Sequence, residues 1–521
     1  MKGRLSHSIF LAGSCAFAFA AAYGCGSGDS GSGTTPTTAV QPTAPTSFLA
    51  DDVMIDEVAV YQAVKIALVT QGDLVPALAL NAPVIAKRPA FVRVFVKGYG
   101  HSRPKVDGEL RVRRGGKPDL VLHDGGKRVT PELDDSVLES TLNFEIAAEE
   151  MTADASFSVK VTAPTAADAL SFPTDGGQAP FGARTKSETL KVRFVPISYE
   201  ADAAAAPIVP DLSDINALRD TLYTMYPVAK VDVSARGPLR WSSTIESDGP
   251  GWDELLGGIM QLRRIDGAPR DVYYVGVLTP KPTIDQFCDK GGCILGIAPM
   301  ASERDVGMRA ALVLGYQSRN AGGTLAQELA HAMGRMHAPC GNPQGIDGDF
   351  PYSSGSIGVW GYNVLEKKLV DPGNRYRDYM SYCGPVWTSD YTFRGVYDRM
   401  EIVTHQQEAV DNADTGTPTT PRASASMLMQ SFRIAADGSV HEGPELEVLP
   451  GDGSGDHVEV TYEGANGTIF ATAKGRVRKI SSTGGSIVIA PQVPVGTARA
   501  RLRGAGVGGV TELRSRAPGA R

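Results

Sequence analysis

One stretch near the middle of the chain combines residue types that can bind a metal and move a proton. Gln327 and His331 are four residues apart, and Glu328 follows Gln327 directly. A four-residue spacing places two side chains on one face of a helix. Gly334 can adopt the backbone conformation of a sharp turn, which would return His337 towards the same point. The pattern therefore predicts a helix, a turn and a site of imidazole, carboxamide and carboxylate groups.

This stretch resembles the HExxHxxGxxH signature of the metzincin zinc metallopeptidases, with Gln327 where the family has its first histidine. In that family the three histidines bind zinc, and the glutamate is the general base on the metal-bound water. The resemblance implies that His331 and His337 are zinc ligands and that Glu328 is the base. Gln327 is a candidate ligand by position only, because a carboxamide oxygen is a harder and weaker donor than an imidazole nitrogen.

A second motif of the same family lies further along the chain. Met380, within Asp-Tyr-Met-Ser-Tyr, resembles the methionine of the Met-turn, which forms the floor beneath the metal. Tyr382 matches the position that astacins and serralysins use as an extra zinc ligand and transition-state stabiliser. The resemblance therefore implies a catalytic role for Tyr382 and a structural one for Met380. Without the histidines, both would be interpreted as ordinary core residues.

The first 46 residues indicate export. Early cations and an apolar stretch that ends in Tyr-Gly-Cys are typical of a secretory signal, here residues 1–24. The cleavage region resembles the lipobox of bacterial lipoproteins, in which the cysteine, here Cys25, receives the lipid. Residues 25–46 are rich in Gly, Ser, Thr and Pro and predict a flexible linker. We expect a lipid-anchored protein of the bacterial cell envelope, at the outer membrane or cell surface, with plain secretion as the alternative.

Four cysteines remain after the signal and the lipid site. An even number in an exported chain suggests two disulfides, for which there are three possible pairings. Cys288 and Cys293 are close together around two glycines and predict a local loop, so that Cys340 would pair with Cys383. A four-cysteine zinc site is the alternative. It is disfavoured because none of these cysteines has the CxxC spacing.

The rest of the sequence divides into three regions. Residues 47–190 contain short, alternating, β-branched runs, which predict a β-sandwich-like domain. Residues 191–410 mix helical and strand patterns, and with the resemblance they predict a central α/β (α+β) metzincin-like peptidase domain. A second linker at 411–426 precedes residues 427–521, where alternating strands return. The predicted fold class is multidomain, with β-rich, sandwich-like domains on both sides of the peptidase domain.

Charge and composition exclude several classes of function. The chain has 51 Lys and Arg against 58 Asp and Glu, a formal net charge of −7, so it offers no electrostatic signature for nucleic-acid binding. Its hydrophobic content of 42% is that of a folded protein rather than a disordered one. Beyond the signal, no apolar run is long enough to span a bilayer. The expected membrane contact is therefore the lipid alone.

Two hypotheses remain open, and Gln327 separates them. The first is a lipid-anchored zinc endopeptidase that hydrolyses protein or peptide substrates, with Glu328 as base. The second is a catalytically inactive relative of the metzincins that serves as a cell-surface binding or adhesion protein. Loss of one of three protein ligands should weaken zinc binding greatly. Tyr382, or a carboxylate from Asp347 or Asp349, could partly compensate.

Overall fold

Strands dominate the described part of the chain. The computed structural model describes residues 53–99, 104–164, 168–201, 206–290, 292–316, 321–373, 375–414, 425–451 and 455–513. The predicted signal, Cys25 and the first predicted linker lie outside the described residues, as do residues 415–424 of the second linker. In the described ranges strands outnumber helices, and the β-rich architecture that the sequence predicts is confirmed.

The N-terminal part is built from strands alone, apart from two short 3₁₀ turns. Its strands are β1 (Val53–Tyr61), β2 (Ala63–Thr70), β3 (Asp73–Leu74), β4 (Ala90–Gly98), β5 (Lys105–Arg113), β6 (Leu120–Arg128), β7 (Thr141–Ile146), β8 (Ser156–Thr162), β9 (Leu170–Phe172) and β10 (Ala179–Pro180). β4 is apolar at nearly every position and is buried on both faces, whereas β5 alternates buried and exposed side chains. The two patterns are those of an enclosed strand and a half-solvated one.

The central part mixes both kinds of element. In chain order these are β11 (Thr189–Tyr199), α1 (Ile215–Met225), β12 (Lys230–Ala235), β13 (Leu239–Trp241), α2 (Trp252–Ile265), β14 (Val272–Leu278), α3 (Ile284–Phe287), β15 (Gly296–Ile297), β16 (Ala310–Leu314), α4 (Ala321–Ala332), β17 (Gly361–Asn363), β18 (Lys368–Val370), β19 (Arg377–Asp378), β20 (Val386–Trp387) and α5 (Asp390–Asp414). Strands that alternate with helices are typical of a largely parallel sheet.

The C-terminal part returns to strands. They are β21 (Met427–Ile434), β22 (Val440–Val448), β23 (His457–Glu463), β24 (Ile469–Lys479), β25 (Ser486–Ala490), β26 (Arg499–Gly504) and β27 (Val507–Glu512). They form one sheet in the order β22-β21-β25-β24-β23-β26-β27, and its pairings are antiparallel. One face covers its own apolar core, and the other packs β22 against α2.

The central sheet positions the candidate site. Its order is β12-β11-β14-β16-β15, in which β12, β11, β14 and β16 are parallel and β15 is an antiparallel edge strand. α4 follows β16 and packs against β16, β15 and α1. The motif helix therefore lies beside the edge of the sheet, where a cleft can open to solvent.

Two further sheets come from the N-terminal strands. One has the order β18-β17-β2-β1-β4-β7, with β3 on β2, so it includes a hairpin from the central part of the sequence. The other has the order β10-β8-β5-β6, with β9 on β8. A single apolar core joins these strands to the motif region, since it contains Val60 and Phe144 as well as Leu329 and Met380.

The helices of the described ranges are amphipathic or polar. The longest of them, α5, carries charged residues along its length. None of these described helices is both long enough and apolar enough to cross a bilayer.

Candidate functional site

Helix α4 carries Gln327, Glu328 and His331, and apolar side chains fix its orientation. Leu325 and Leu329 are fully buried in the core, one turn apart on the same face. Burial of that face aligns the helix against the sheet. His331 and Glu328 are buried as well, whereas Gln327 is only partly covered. The helix thus presents a polar set of side chains in a largely desolvated place.

The helix ends in the turn that the sequence predicts. The N–H of Gly334 donates to the carbonyl of His331 at 2.7 Å, and the N–H of Arg335 donates to that of Ala330 at 2.9 Å, the two bonds of a Schellman motif. Gly334 has φ of +84°, and a Cβ there would lie 2.9 Å from the carbonyl oxygen of Ala301. Only glycine fits this position without strain.

The turn brings the rings of His331 and His337 together, with their Nε2 atoms 3.1 Å apart. Nδ1 of His331 donates to the carbonyl of Arg335 at 2.7 Å, and Nδ1 of His337 donates to that of Gln344 at 2.6 Å. Because a carbonyl only accepts, each Nδ1 carries the hydrogen and each Nε2 keeps a lone pair. Two lone pairs that face each other call for a proton or a metal cation between them.

A shared proton is disfavoured because both rings resist charging. Burial, and then the neighbouring His337, lower the pKa of His331 to about 3. Burial also lowers the pKa of His337, although its hydrogen bond to the Gln344 carbonyl opposes that change. Both imidazoles are therefore neutral at pH 7. A divalent metal ion suits the pair better than a proton does.

The separation of the two nitrogens suits zinc. Two imidazole nitrogens bound to one tetrahedral zinc at about 2.05 Å lie about 3.3 Å apart, close to the 3.1 Å between these Nε2 atoms. Histidines that bind metals also commonly donate their second ring N–H to a carbonyl, as both do here. Among the described residues, however, no group of three or more His, Cys, Asp or Glu side chains could hold a metal. A third protein ligand to a metal held by this pair would have to be of another type.

By its position on the helix, Gln327 is the candidate for that third ligand. It lies one helical turn before His331 and lines the same cleft as Glu328. Its amide nitrogen is buried and has no hydrogen-bond partner within the described ranges. The two ends of a carboxamide have nearly the same shape, so the reversed amide would place its oxygen at the buried position of this nitrogen. The donor set therefore fits zinc with two strong ligands and one weak one.

Comparisons with known proteins do not assign the chain to a family. No known protein family matches the chain. No curated protein matches it either. The resemblance to metzincins therefore rests on the motif residues and on their arrangement alone.

Glu328 is held on two sides. Its side chain is only 2% exposed, and Oε2 accepts a hydrogen bond of 2.8 Å from the hydroxyl of Ser481. Gly296 of β15 lies so close that a Cβ there would be 2.6 Å from Cγ of Glu328. Burial raises the pKa of the carboxyl to about 8, and the bond from Ser481 offsets part of the rise. Sequence reasoning missed Ser481, since a serine in a distant turn carries no recognisable signal.

The segment after the third motif position is joined to the segment around Met380. The N–H of Ala338 donates to the carbonyl of Met380 at 2.9 Å, and the N–H of Tyr382 donates to that of Cys340 at 3.0 Å. The disulfide Cys340–Cys383 links the same two segments covalently. Met380 itself is fully buried in the core. The structure thus brings the two motifs together, as the resemblance implies.

Tyr382 lies at the boundary between the site and solvent. Its ring meets the ring of His337 edge to face, with centroids 5.0 Å apart. Its hydroxyl is 3.3 Å from the hydroxyl of Ser482, and 48% of the residue is exposed. Partial burial raises the pKa of the phenol above its usual value, so the hydroxyl is protonated at neutral pH and can donate a hydrogen bond.

Both predicted disulfides are present. The second, Cys288–Cys293, closes the local loop that the sequence predicts. Cys293 also lines the cleft, so this loop forms part of its wall. The four-cysteine zinc alternative is therefore excluded.

Asp347 and Asp349 are the two carboxylates that could have compensated for a weak ligand at position 327. The first bonds to protein side chains, and the second is exposed to solvent. The carboxylate of Asp347 accepts from Tyr391 at 2.9 Å and pairs with Arg335 at 3.3 Å. Asp349 is exposed, and its N–H bonds to Asp347. Asp378, which sequence reasoning missed, is buried and accepts the N–H of Met380 at 2.8 Å, so it shapes the Met380 turn. Its pKa is raised by burial.

A cleft of about 400 Å³ opens beside these groups. Gln327, Glu328 and Tyr382 line it, together with the segments 293–296 and 381–386 and with Ser482. The His331–His337 pair meets this cleft through Tyr382, whose ring packs on His337. Cys25 alone among the predicted site residues lies outside the described ranges. The candidate base and the candidate hydrogen-bond donor thus share one opening, and the two histidines are buried next to it, with His337 against the ring of Tyr382.

Proposed function

We propose that this chain is an exported zinc-dependent endopeptidase, anchored to the bacterial cell envelope through a lipid on Cys25. The observation that supports the proposal most strongly is the pair of neutral imidazoles whose Nε2 lone pairs face each other at 3.1 Å. The backbone carbonyls behind both rings fix that orientation. A fold that holds two lone pairs together in this way is prepared for a cation.

His331 and His337 would hold the zinc, with the carboxamide of Gln327 as the third protein ligand. When bound, zinc would supply Lewis acidity, which polarises a carbonyl and makes water a stronger acid. Only two of these three ligands are strong donors. We therefore expect weaker zinc binding than in a three-histidine site.

Glu328 would take the proton from the attacking water and pass it to the leaving amine. Oε2 is engaged by Ser481, while Oε1 has no protein partner among the described residues and the side chain lines the cleft. A carboxyl with a pKa of about 8 can both accept and return a proton near neutral pH. The hydroxyl of Tyr382 would donate a hydrogen bond to the oxyanion that develops on the substrate.

The proposed substrate is a peptide segment in extended form. The cleft lies along the segment 293–296 beside the edge of the central sheet. Residues 293–295 of this segment are at least partly exposed, and an exposed strand edge can bind an extended peptide through main-chain hydrogen bonds. The cleft volume of about 400 Å³ accommodates a few side chains rather than a folded domain.

A second candidate function is a catalytically inactive binding or adhesion protein. The specific observation in its favour is Gln327, a residue that replaces an imidazole and leaves a buried amide nitrogen without a described partner. Glu328 is also nearly inaccessible, at 2% exposure. If zinc is absent from the mature protein in the envelope, the cleft would remain a peptide-binding surface only.

Proteolysis distinguishes the two functions. The mature chain, loaded with zinc, should cleave an unfolded protein substrate, and a chelator should stop the cleavage. Glu328→Gln should keep the zinc and lose activity by about 100-fold or more, since it removes the base but little volume. Zinc-loaded wild type that leaves the substrate intact would favour the inactive binding protein.

A further inference from the structure

The turn between β24 and β25, residues 480–485, reaches from the C-terminal sheet into the candidate site. It does so along the edge strand. The N–H of Ser481 donates to the carbonyl of Ala298 at 2.9 Å, and the N–H of Met300 donates to that of Lys479 at 2.8 Å. Pro299 and Ile480 form an antiparallel bridge. The turn therefore extends the edge of the central sheet at the point where Glu328 is buried.

The hydroxyl of Ser481 occupies a defined position between two groups. It accepts the N–H of Ala298 at 2.9 Å and donates to Oε2 of Glu328 at 2.8 Å. The hydroxyl has one hydrogen, which it donates to the carboxylate, while a lone pair accepts the backbone N–H. Ser481 is itself buried, with 1% of the residue exposed. A buried hydroxyl with both roles assigned restrains the carboxylate that it touches.

The turn is anchored beyond Ser481. Arg478 forms a fully buried ion pair with Asp305, with Nε 2.5 Å from Oδ2. Ser482 lies 3.3 Å from the hydroxyl of Tyr382. The turn is thus fixed to the central part of the chain on one side and contacts the candidate oxyanion donor on the other.

We infer that the C-terminal sheet supplies part of the working site, with Ser481 as a positioning residue for Glu328. This inference rests on the proposed peptidase function. Ser481 holds one carboxylate oxygen and leaves the other for the attacking water. The hydroxyl acts only through Glu328 and does not touch the substrate. The C-terminal part of the chain is therefore a component of the catalytic site rather than a separate binding module.

The test uses the full mature chain, loaded with zinc, and three variants. Ser481→Ala removes the hydroxyl, Ser481→Thr keeps it, and Ser439→Ala is the matched control, a serine of the same sheet that bonds to His441. Ser481→Ala should lower kcat by about 10- to 100-fold with little change in KM, because a misplaced base slows the chemical step but not binding. Ser481→Thr should restore most of kcat. Zinc content should be equal in all four proteins, and the thermal midpoint of Ser481→Ala should fall by only a few degrees, as expected for the loss of buried hydrogen bonds.

The crystal structure of Ser481→Ala gives a readout that does not depend on activity. The Glu328 carboxylate should leave its position in Ser481→Ala and keep it in Ser481→Thr. Unchanged kcat in Ser481→Ala, or a carboxylate that stays in place, would overturn the inference. Equal losses of kcat in the Ala and Thr variants would also overturn it. An inactive wild type would defeat the proposed function, and the position of the carboxylate would still decide whether Ser481 holds Glu328.

Discussion

His331 and His337 are each held from behind by a backbone carbonyl, whereas Gln327 has a buried amide nitrogen with no partner in the described residues. His331 lies near the end of α4 and His337 in a strand-like segment after the turn, and hydrogen bonds to the backbone orient both rings. The carboxamide belongs to the same helix as His331, one turn earlier. The candidate site thus has a prepared side, which is the two imidazoles with their backbone acceptors, and an unprepared side, which is the carboxamide of Gln327.

The difference shows where the affinity for a metal is decided. The prepared side follows from backbone features: the Schellman turn at Gly334, the carbonyls of Arg335 and Gln344, and the link between Cys340 and Cys383. These features would persist whatever residue occupied position 327. In the proposed zinc site, the side chain at 327 should therefore set the strength of metal binding, and the rest of the fold its location.

Removal of the disulfide on the prepared side should have the largest effect. The pair Cys340→Ser and Cys383→Ser opens a link with a sequence separation of 43. The loop-entropy relation predicts a loss of about 4 kcal/mol in the free energy of unfolding. Zinc binding should weaken as well, because the link joins the segment after His337 to the Met380 turn. Urea unfolding and zinc titration measure the two effects.

The matched control is the other disulfide. The pair Cys288→Ser and Cys293→Ser opens a link with a separation of only 5, for which the same relation predicts about 2 kcal/mol. Zinc affinity should be unchanged, because this loop forms part of the cleft wall and contains none of the proposed zinc ligands. Equal effects of the two double variants on zinc binding would show that the brace behind His337 has no special role.

The substitution Gln327→His should place a strong zinc ligand on the unprepared side. An imidazole in place of the carboxamide should tighten zinc binding by about 100- to 1,000-fold, the share of one ligand in a typical site. Gln327→Leu is the control, and it should weaken binding relative to wild type if the carboxamide is a ligand. Competition with a chelator of known affinity measures all three proteins. Identical zinc affinities of the wild type and Gln327→Leu would remove this glutamine from the site.

The smallest expected effect is the loss of activity on removal of the Tyr382 hydroxyl, which lies beside the prepared side. Tyr382→Phe removes the hydroxyl but keeps the ring against His337. Activity should fall by up to about 100-fold with zinc content unchanged, the lower end of the effect of one oxyanion donor, because Tyr382 is half-exposed. Tyr99→Phe, an exposed tyrosine in the N-terminal part, is the control. A proportional loss of zinc in Tyr382→Phe would indicate a metal ligand instead.

The sequence predicts the elements of the site better than it predicts their surroundings. The spacing of Gln327, His331 and Gly334 is local, and helix periodicity and glycine conformation are sufficient to place these residues. The pairing of Cys288 with Cys293 is local too. The β-rich architecture follows from alternating, β-branched runs such as β5.

What the sequence does not reveal depends on contacts between distant segments. Ser481 is 153 positions from Glu328, and nothing in its neighbourhood marks it as part of a site. Gly296 matters only because the Glu328 stem packs against its backbone. Asp347 is a plausible ligand in the sequence, but Arg335 and Tyr391 take its carboxylate in the fold. Such assignments require the tertiary arrangement, which pattern alone does not give.

The proposed function requires that His331 and His337 form one cation site. The most direct measurement is zinc affinity and stoichiometry for the mature wild type, His331→Ala and His405→Ala, the last an exposed histidine on α5. The wild type should bind about one zinc per chain. His331→Ala should bind it at least about 100-fold more weakly, and His405→Ala should match the wild type. Equal zinc binding by wild type and His331→Ala would contradict the account.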